Sequence, residues 1–367
     1  MEIKTTSRPL SAGSIIRLSA GFVLSALALG LSRFSAGLPE WLLGALRAFT
    51  LSFSDISSRV LSVFNFPFCE ALIYLLVLSA AAGLVISAVY SIRYREARTF
   101  FSFLSSLVLA GGVLLFSYYL LFGMWTGFAS PVMPEVKPAE PSIELLYLTM
   151  LDMQERANVL ADRVPRLPDG SLNAGSFDSL AGRVAELYLK KAEPLGFSSV
   201  AKPKRVLWSR GLSWCGIAGV FMPYTAEANI NGDMPVTAWA FTMGHELSHR
   251  YGTPREDECN YISYDLLVDA EDDLAYSAVF SAYSYLSSAL YSADPERWIR
   301  LREGEGKNLS SDIRANSAYW KAFEGPPQRV AERVNDTHIK LDGVPEGVKS
   351  YDRFVELLMS RFAEMYG

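Results

Sequence analysis

Cysteine and histidine are both scarce in this sequence, with three residues of each in 367. The cysteines, Cys69, Cys215 and Cys259, are too far apart to form a C-x-x-C metal site. Because Cys69 begins an apolar run, the one disulfide to consider joins Cys215 and Cys259. Small buried cysteines are common, however, which weighs against this disulfide. The cysteine spacing therefore excludes a C-x-x-C metal site.

A surplus of positive charge is lacking as well, since the formal net charge is −5. Residues 124–367 hold 25 of the 34 Lys and Arg but 34 of the 39 Asp and Glu. An acidic domain repels polyanions such as nucleic acid and anionic lipid headgroups. We therefore expect no nucleic-acid partner.

Hydrophobic residues, by contrast, make up 50% of the chain, which is high for a soluble protein and indicates membrane segments. Apolar runs of near-spanning length lie at residues 14–31, 71–89 and 101–122. They predict three transmembrane helices, with the lipid bilayer as a partner. The first run is the shortest, and its alternative is a signal peptide that is cleaved near Ala36.

Two basic clusters orient the predicted spans. They are Lys4, Arg8 and Arg17 around the start of the first span, and Arg93, Arg95 and Arg98 between the second and the third. Lys and Arg collect on the cytoplasmic side of a membrane. We therefore expect the N-terminus in the cytoplasm and the residues after 122 outside it.

Three units follow from this pattern. Residues 1–123 form a membrane domain, residues 124–141 form a stiff linker with four prolines, and residues 142–367 form an extracytoplasmic domain. Within the membrane domain, residues 38–66 are amphipathic rather than spanning. They predict either a pair of interfacial helices that dock the outer domain or contact lipid, or a packed extracytoplasmic hairpin.

His245, Glu246 and His249 form an H-E-x-x-H motif. Histidines four residues apart lie on one face of a helix within reach of a single metal ion, which is the signature of zinc peptidases. The opposite face of this predicted helix carries an apolar stripe of Val236, Ala240, Met243 and Leu247. The alternative is a pair of surface histidines on an ordinary helix.

Glu256 completes the predicted site. A turn at Gly252 would fold the chain into an antiparallel helix pair that sets Glu256 level with His249. Two histidines and one glutamate leave a fourth position for water, as catalytic zinc requires. Asn260, one turn on, is level with His245 and would hydrogen-bond its outer nitrogen.

Glu258 competes for the position of third ligand. It lies about 200° around the helix from Glu256. That face also carries three aspartates, Asp265, Asp269 and Asp272, and is typical of solvated acidic residues. We therefore favour Glu256 as the ligand. The alternative role for Glu256 is a capping box with Thr253.

Short strands are predicted before the metal helix, at residues 206–208, 216–222 and 225–231. In zinc peptidases an edge strand at this point pairs with an extended substrate, so residues 225–231 are the candidate substrate-binding edge. We interpret Glu227 and Asn229 as exposed strand and turn residues. The predicted fold class is mainly α with a small β-sheet (α+β), with three N-terminal transmembrane helices followed by an extracytoplasmic zincin-like domain.

Four stretches of sequence carry a family resemblance. They are VFMPYTAEANIN, TMGHELSHRYG, REDECN and VNDTHIKLDGVPEGVKSY, in that order behind the three spans. Together they resemble a bacterial membrane family catalogued as domain of unknown function 3810, which is similar to HExxH zinc metallopeptidases of the two-His, one-Glu (gluzincin-like) type. EDECN is similar to the E-x-x-x-D element of those peptidases, with Asn260 in place of their aspartate. The resemblance implies a multi-pass protein of the bacterial cytoplasmic membrane, and His338 stands where the family would have an aromatic residue.

The function predicted from these residues is hydrolysis of protein or peptide substrates outside the cytoplasmic membrane. One Zn²⁺ ion held by the two motif histidines and Glu256 would activate a water molecule, with Glu246 as the general base. His338 or Tyr351 would stabilise the oxyanion, and an ordinary capping or packing role is the alternative for each. The competing hypothesis is a non-hydrolytic membrane-bound regulatory or binding protein that retains the zinc site.

Overall fold

The computed structural model describes residues 10–197, 200–341 and 352–366, with the backbone alone for residues 338, 339, 341 and 352. These residues form fourteen α-helices and one three-stranded sheet, so the predicted mainly helical class with a small sheet is confirmed. The helices are α1 (Ala12–Phe34), α2 (Glu40–Leu61), α3 (Phe68–Tyr94), α4 (Ala97–Leu121), α5 (Ile143–Arg163), α6 (Phe177–Ala192), α7 (Ser209–Trp214), α8 (Trp239–His249), α9 (Glu256–Leu267), α10 (Asp272–Ala293), α11 (Pro295–Arg302), α12 (Lys307–Lys321), α13 (Pro326–Leu341) and α14 (Asp352–Tyr366). The strands are β1 (Lys204–Arg205), β2 (Gly219–Met222) and β3 (Glu227–Ile230).

Three of the described helices are long and apolar enough to cross a membrane, within Ala12–Gly37, Phe68–Tyr94 and Ala97–Gly127. Each predicted span lies inside one of them. α1 packs closely along α4, where a Cβ on Gly21 would lie 2.7 Å from the carbonyl oxygen of Val108. Small residues at such crossings allow membrane helices to approach each other closely. The orientation of the spans stays a prediction.

The segment between the first two candidate spans is one helix, α2, so both sequence predictions for it, a helix pair and a hairpin, are wrong. One face of α2 is bound to the rest of the chain over several turns. Ser54 Oγ donates to the carbonyl of Arg250 at 3.2 Å, and Ser58 Oγ accepts the Ala201 N–H at 2.9 Å. The carbonyl of Leu61 accepts Lys204 Nζ at 2.9 Å. A break within the segment would lose this row of contacts at helical spacing.

The C-terminal part of the chain is built around α8, which carries the H-E-x-x-H motif. Its apolar stripe of Ala240, Met243 and Leu247 is buried, and the helix packs among α6, α9 and α10. α10 also packs along α5, and α14 packs against α9 and α10. A 3₁₀ turn at Val236–Ala238 leads into α8. The stripe thus fixes α8 in the core and leaves the histidine face for other contacts.

The sheet corrects the predicted substrate-binding edge at residues 225–231. β3 is the central strand, parallel to β1 on one side and antiparallel to β2 on the other. Among the described strands, β2 is the edge strand that packs against α8. The predicted strand at residues 206–208 is also wrong. The N–H groups of Leu207 and Trp208 donate to the Glu70 carboxylate at 2.8 and 2.9 Å, which removes them from strand pairing.

Glu227 and Asn229 of β3 are buried, so their interpretation as exposed residues is wrong. The Glu227 carboxylate accepts the N–H groups of Phe68 and Cys69 at 2.9 and 2.8 Å. It also forms a buried ion pair with Lys204 at 2.7 Å. The cost of burying the Glu227 carboxylate is offset by two backbone N–H groups at the start of α3, which have no acceptor within their helix, and by the Lys204 cation.

Replacing Lys204 with methionine is expected to lower the free energy of unfolding by about 3 kcal/mol, because the Glu227 carboxylate then stays buried without its cation. Unfolding of the detergent-solubilised chain measures the loss. The double variant Lys204→Met/Glu227→Gln should recover part of it. Lys340→Met is the control, since Lys340 pairs with Asp336 on an exposed helix surface. Equal losses in the two single variants would contradict the buried pair.

Candidate metal centre

The two helices of the site, α8 and α9, are joined by a tight turn and packed closely together. Gly252 lies in the turn with a φ of +71°, a conformation that L side chains rarely adopt. Gly244 lies on α8 next to α9, where a Cβ would overlap Ser263 Oγ. These two glycines allow α9 to fold back along α8, as the sequence predicted.

Three side-chain donors meet between the helices. His245 Nε2 lies 3.2 Å from His249 Nε2 and 3.0 Å from Glu256 Oε2. His249 Nε2 lies 3.9 Å from the same carboxylate oxygen. Donors held tetrahedrally at about 2.0–2.1 Å from a zinc ion lie about 3.3 Å apart. The residues thus fit a zinc ion. The sequence prediction had aligned Glu256 with His249, whereas in the structure Glu256 lies closer to His245.

The outer nitrogens of both histidines are hydrogen-bonded. His245 Nδ1 lies 2.8 Å from Asn260 Oδ1, so the predicted contact between these residues is present. His249 Nδ1 lies 2.7 Å from the carbonyl oxygen of Thr253, a partner that the sequence analysis missed. Both acceptors place the ring proton on Nδ1 and leave the Nε2 lone pair for a cation. The sequence feature that could have indicated this contact is the position of Thr253, four residues after His249 and directly after Gly252.

Cys259 is buried beside the outer nitrogen of His249. Its sulfur lies 3.3 Å from His249 Nδ1 and 3.3 Å from the carbonyl of Thr253. It therefore lies on the Nδ1 side of the ring and not among the three donors. Cys259 and Cys215 are both free thiols, so the disulfide considered from the sequence is not formed.

Glu246 is buried between the motif helix and the edge strand β2. The backbone N–H of Phe221 acts to stabilise its charged form and so opposes the effect of burial on the pKa of Glu246. A Cβ on Gly219 would lie 2.6 Å from Glu246 Oε1, so only glycine leaves room for this side chain. Two residues of one strand thus act on the carboxylate.

Glu258 points away from the three donors. Its carboxylate accepts the N–H of Ser130 at 2.7 Å and pairs with Arg255 at 3.3 Å. The interpretation of this face as solvated is wrong for Glu258, which is buried and accepts its hydrogen bond from Ser130, far away in the chain. The capping box with Thr253 is also not formed, since the Thr253 hydroxyl donates to Ser130 Oγ at 2.6 Å.

Burial and charge act differently on the titratable groups of the motif. Burial raises the pKa of Glu246 to about 8 and lowers the pKa of His249 to about 4. Burial also acts to lower the pKa of His245, but the hydrogen bond and charge of Glu256 outweigh it and raise this pKa to about 9. Glu256 thus attracts positive charge to the Nε2 atoms, whether of a proton or of a divalent cation.

Aromatic rings cover the side of His249 that faces the end of α4. The ring of Phe122 lies edge-on at 5.5 Å between centroids, and the ring of Phe221 lies at 6.0 Å. Both rings line a small pocket that reaches Thr50 and Phe53 of α2. The sequence analysis missed these neighbours, because nothing in the spacing of the motif indicates contact with a distant helix end.

Two predicted oxyanion donors are not located. His338 lies on α13, but its side chain is outside the described residues. Tyr351 also lies outside the described residues. Their roles stay predictions.

The comparisons with known proteins give one match. A family model described as "Protein of unknown function (DUF3810)" matches residues 47–359. This range includes two candidate spans, the sheet and both helices of the site. No curated protein and no solved structure matches the chain.

Proposed function

The chain belongs to the DUF3810 family, and we propose that it is a membrane-anchored zinc-dependent metallopeptidase, similar to HExxH peptidases of the two-His, one-Glu type. In this proposal it hydrolyses protein or peptide bonds outside the cytoplasmic membrane. The convergence of His245, His249 and Glu256 carries the proposal, with Glu246 buried next to them. A purely structural metal site has no need of this fourth group.

The residues divide the chemistry between them. His245, His249 and Glu256 would hold the ion, and bound Zn²⁺ would supply Lewis acidity at the scissile carbonyl and lower the pKa of water. Asn260 and the Thr253 carbonyl hold the two imidazoles in the tautomer that leaves Nε2 free. Glu246 takes the proton from the attacking water and transfers it to the leaving amine.

β2 offers the edge along which an extended substrate would lie. It is the edge strand beside α8, and Gly219 on this strand lies directly against the Glu246 side chain. A peptide that adds to this edge would place its backbone near the proposed base. This role replaces the one predicted for residues 225–231.

The test uses the full-length chain in lipid nanodiscs, since α2 and Phe122 contact the site. Elemental analysis measures zinc, and mass spectrometry follows cleavage of a randomised peptide library that is supplied free and attached to a membrane anchor. We expect about one zinc ion per chain. We also expect chelation to stop cleavage and added zinc to restore it.

Three outcomes would contradict the proposal. Zinc binding without cleavage of either form of the library would favour the non-hydrolytic regulatory or binding protein. Cleavage that persists after complete chelation would remove the role of zinc. A chain that binds no zinc would remove the site itself.

Gly219→Ala is expected to slow cleavage by about 10- to 100-fold without loss of zinc, because a Cβ there displaces the Glu246 carboxylate. Initial cleavage rates and zinc content of the purified variant measure the effect. Gly127→Ala is the matched control, since a Cβ at Gly127 meets nothing within 4 Å. Full activity in Gly219→Ala would show that the close approach to Glu246 has no part in catalysis.

A further inference from the structure

The metal centre lies directly against the end of a candidate membrane span. Phe122 follows the last residue of α4, and its ring contacts that of His249. Phe221 of β2 contacts both rings, with 5.6 Å between its centroid and that of Phe122. The ring of Phe122 therefore connects the end of the span to His249, a proposed metal ligand, and to β2, the proposed substrate edge.

The turn between β2 and β3 extends further along the same span. Tyr224 Oη donates to the carbonyl oxygen of Leu114 at 2.8 Å. Leu114 precedes Leu121, the last residue of α4, by seven positions. At 1.5 Å per residue this distance is about 10 Å along the helix axis. The hairpin that borders Glu246 thus lies beside the apolar part of α4.

The sheet is also fixed to the first turn of α3. Glu227 of β3 binds the N–H groups of Phe68 and Cys69. In the reverse direction, Glu70 of α3 binds the N–H groups of Leu207 and Trp208. These carboxylate contacts hold the sheet to α3, and Tyr224 holds it to α4, so the site does not stand away from the bilayer on a flexible stalk.

α2 turns its apolar side away from the protein. Its buried residues are polar, namely Thr50, Ser54, Asp55 and Ser58. Its exposed large residues are apolar, among them Trp41, Phe49, Ile56 and Val60. A helix on a water-soluble domain has the opposite arrangement, whereas a helix with an outward apolar face is typical of the membrane interface.

This helix also borders the metal centre. Arg47 Nη1 donates to the carbonyl of Gly252 in the turn after the motif, at 2.8 Å. Near α3, the side chains of Leu207, Trp208 and Trp214 are exposed. Tryptophan is enriched at membrane interfaces, and apolar patches of this kind mark contact surfaces. Surfaces suited to lipid contact therefore flank the site on two sides.

We propose that the substrates are polypeptides held in the membrane and cut within the first residues outside the bilayer. This inference rests on the proposed peptidase function. A polypeptide segment that emerges from the bilayer would meet the edge of β2 at the level of the β2–β3 hairpin. A soluble peptide would first have to enter the interface, and it lacks the high local concentration that an anchor provides.

The experiment distinguishes the effect of the library's height above the bilayer from the effect of membrane attachment alone. The full-length chain is reconstituted in zwitterionic phospholipid vesicles with a randomised ten-residue library in three forms. One form is free, one is joined directly to an apolar transmembrane helix, and one carries a rigid helical spacer of about 30 residues, or about 45 Å, between anchor and library. Both anchored forms are confined to the same surface, so only the height of the library differs between them.

We expect the directly joined library to be cut at least about 10-fold faster than the spaced one, and the free library to be cut slowest. Equal or faster cleavage of the spaced library would overturn this inference and leave the peptidase function intact. If zinc-loaded chain cuts none of the three, the peptidase function fails and the inference fails with it. Glu246→Gln in the same vesicles is the control for contaminating proteases.

Discussion

Glu246→Gln is expected to reduce cleavage of the directly anchored library by about 10²- to 10⁴-fold, the range typical of a lost general base. Zinc content should stay unchanged, because Glu246 is not among the three converging donors. The amide has the size of the carboxylate, so it fits the space that Gly219 leaves. What it lacks is the ability to take a proton from water. Cleavage rates and elemental analysis of the same sample measure both effects.

The matched control for this variant is Glu155→Gln, which makes the same chemical change at an exposed position of α5. Its cleavage rate should equal that of the unmodified chain. If Glu246→Gln also cleaves at the full rate, the base is another group. If Glu246→Gln loses its zinc, Glu246 belongs to the ion-binding set, and the slower cleavage carries no information about proton transfer.

The local part of the site was predictable because short-range geometry determines it. The spacing of four residues from His245 to His249 sets one helix face, and Gly252 is the residue that allows the chain to reverse. An antiparallel pair then brings Glu256 and Asn260 to the histidines by helical spacing alone. Each of these steps depends on a few neighbouring residues.

Two of the wrong predictions concern acidic residues whose environment is set from far away in the chain. Glu258 was expected to be solvated, but it is buried and its carboxylate accepts the N–H of Ser130. Glu227 was expected to be exposed, but it binds the first turn of α3 and pairs with Lys204. Acidic residues are usually exposed, so no local pattern indicates such partners.

The contacts between the site and a candidate span were unpredictable for a related reason. The sequence places the motif more than a hundred residues after the third apolar run, which suggests distance from the bilayer. In the folded chain, Phe122 lies against His249, and Tyr224 binds the backbone of α4. The residues between the third span and the motif form part of the helical core and the sheet, and at Tyr224 the chain comes back to α4. Separation in sequence therefore says little about the distance between the motif and a candidate span.

Glu256→Gln is expected to weaken zinc binding by about 10²- to 10³-fold, whereas Glu258→Gln should leave it unchanged. Structural zinc sites bind with about 10–16 kcal/mol from four donors, or roughly 3–4 kcal/mol per donor, and 1.4 kcal/mol is a factor of ten. The Glu256 carboxylate lies 3.0 Å from His245 Nε2, while Glu258 is held by Ser130 and Arg255. Competition with a chromophoric chelator measures both affinities in the detergent-solubilised chain. Because the two variants make the same change two residues apart on α9, a similar loss in Glu258→Gln would mean that either carboxylate can reach the ion and that Glu256 is not the specific third ligand.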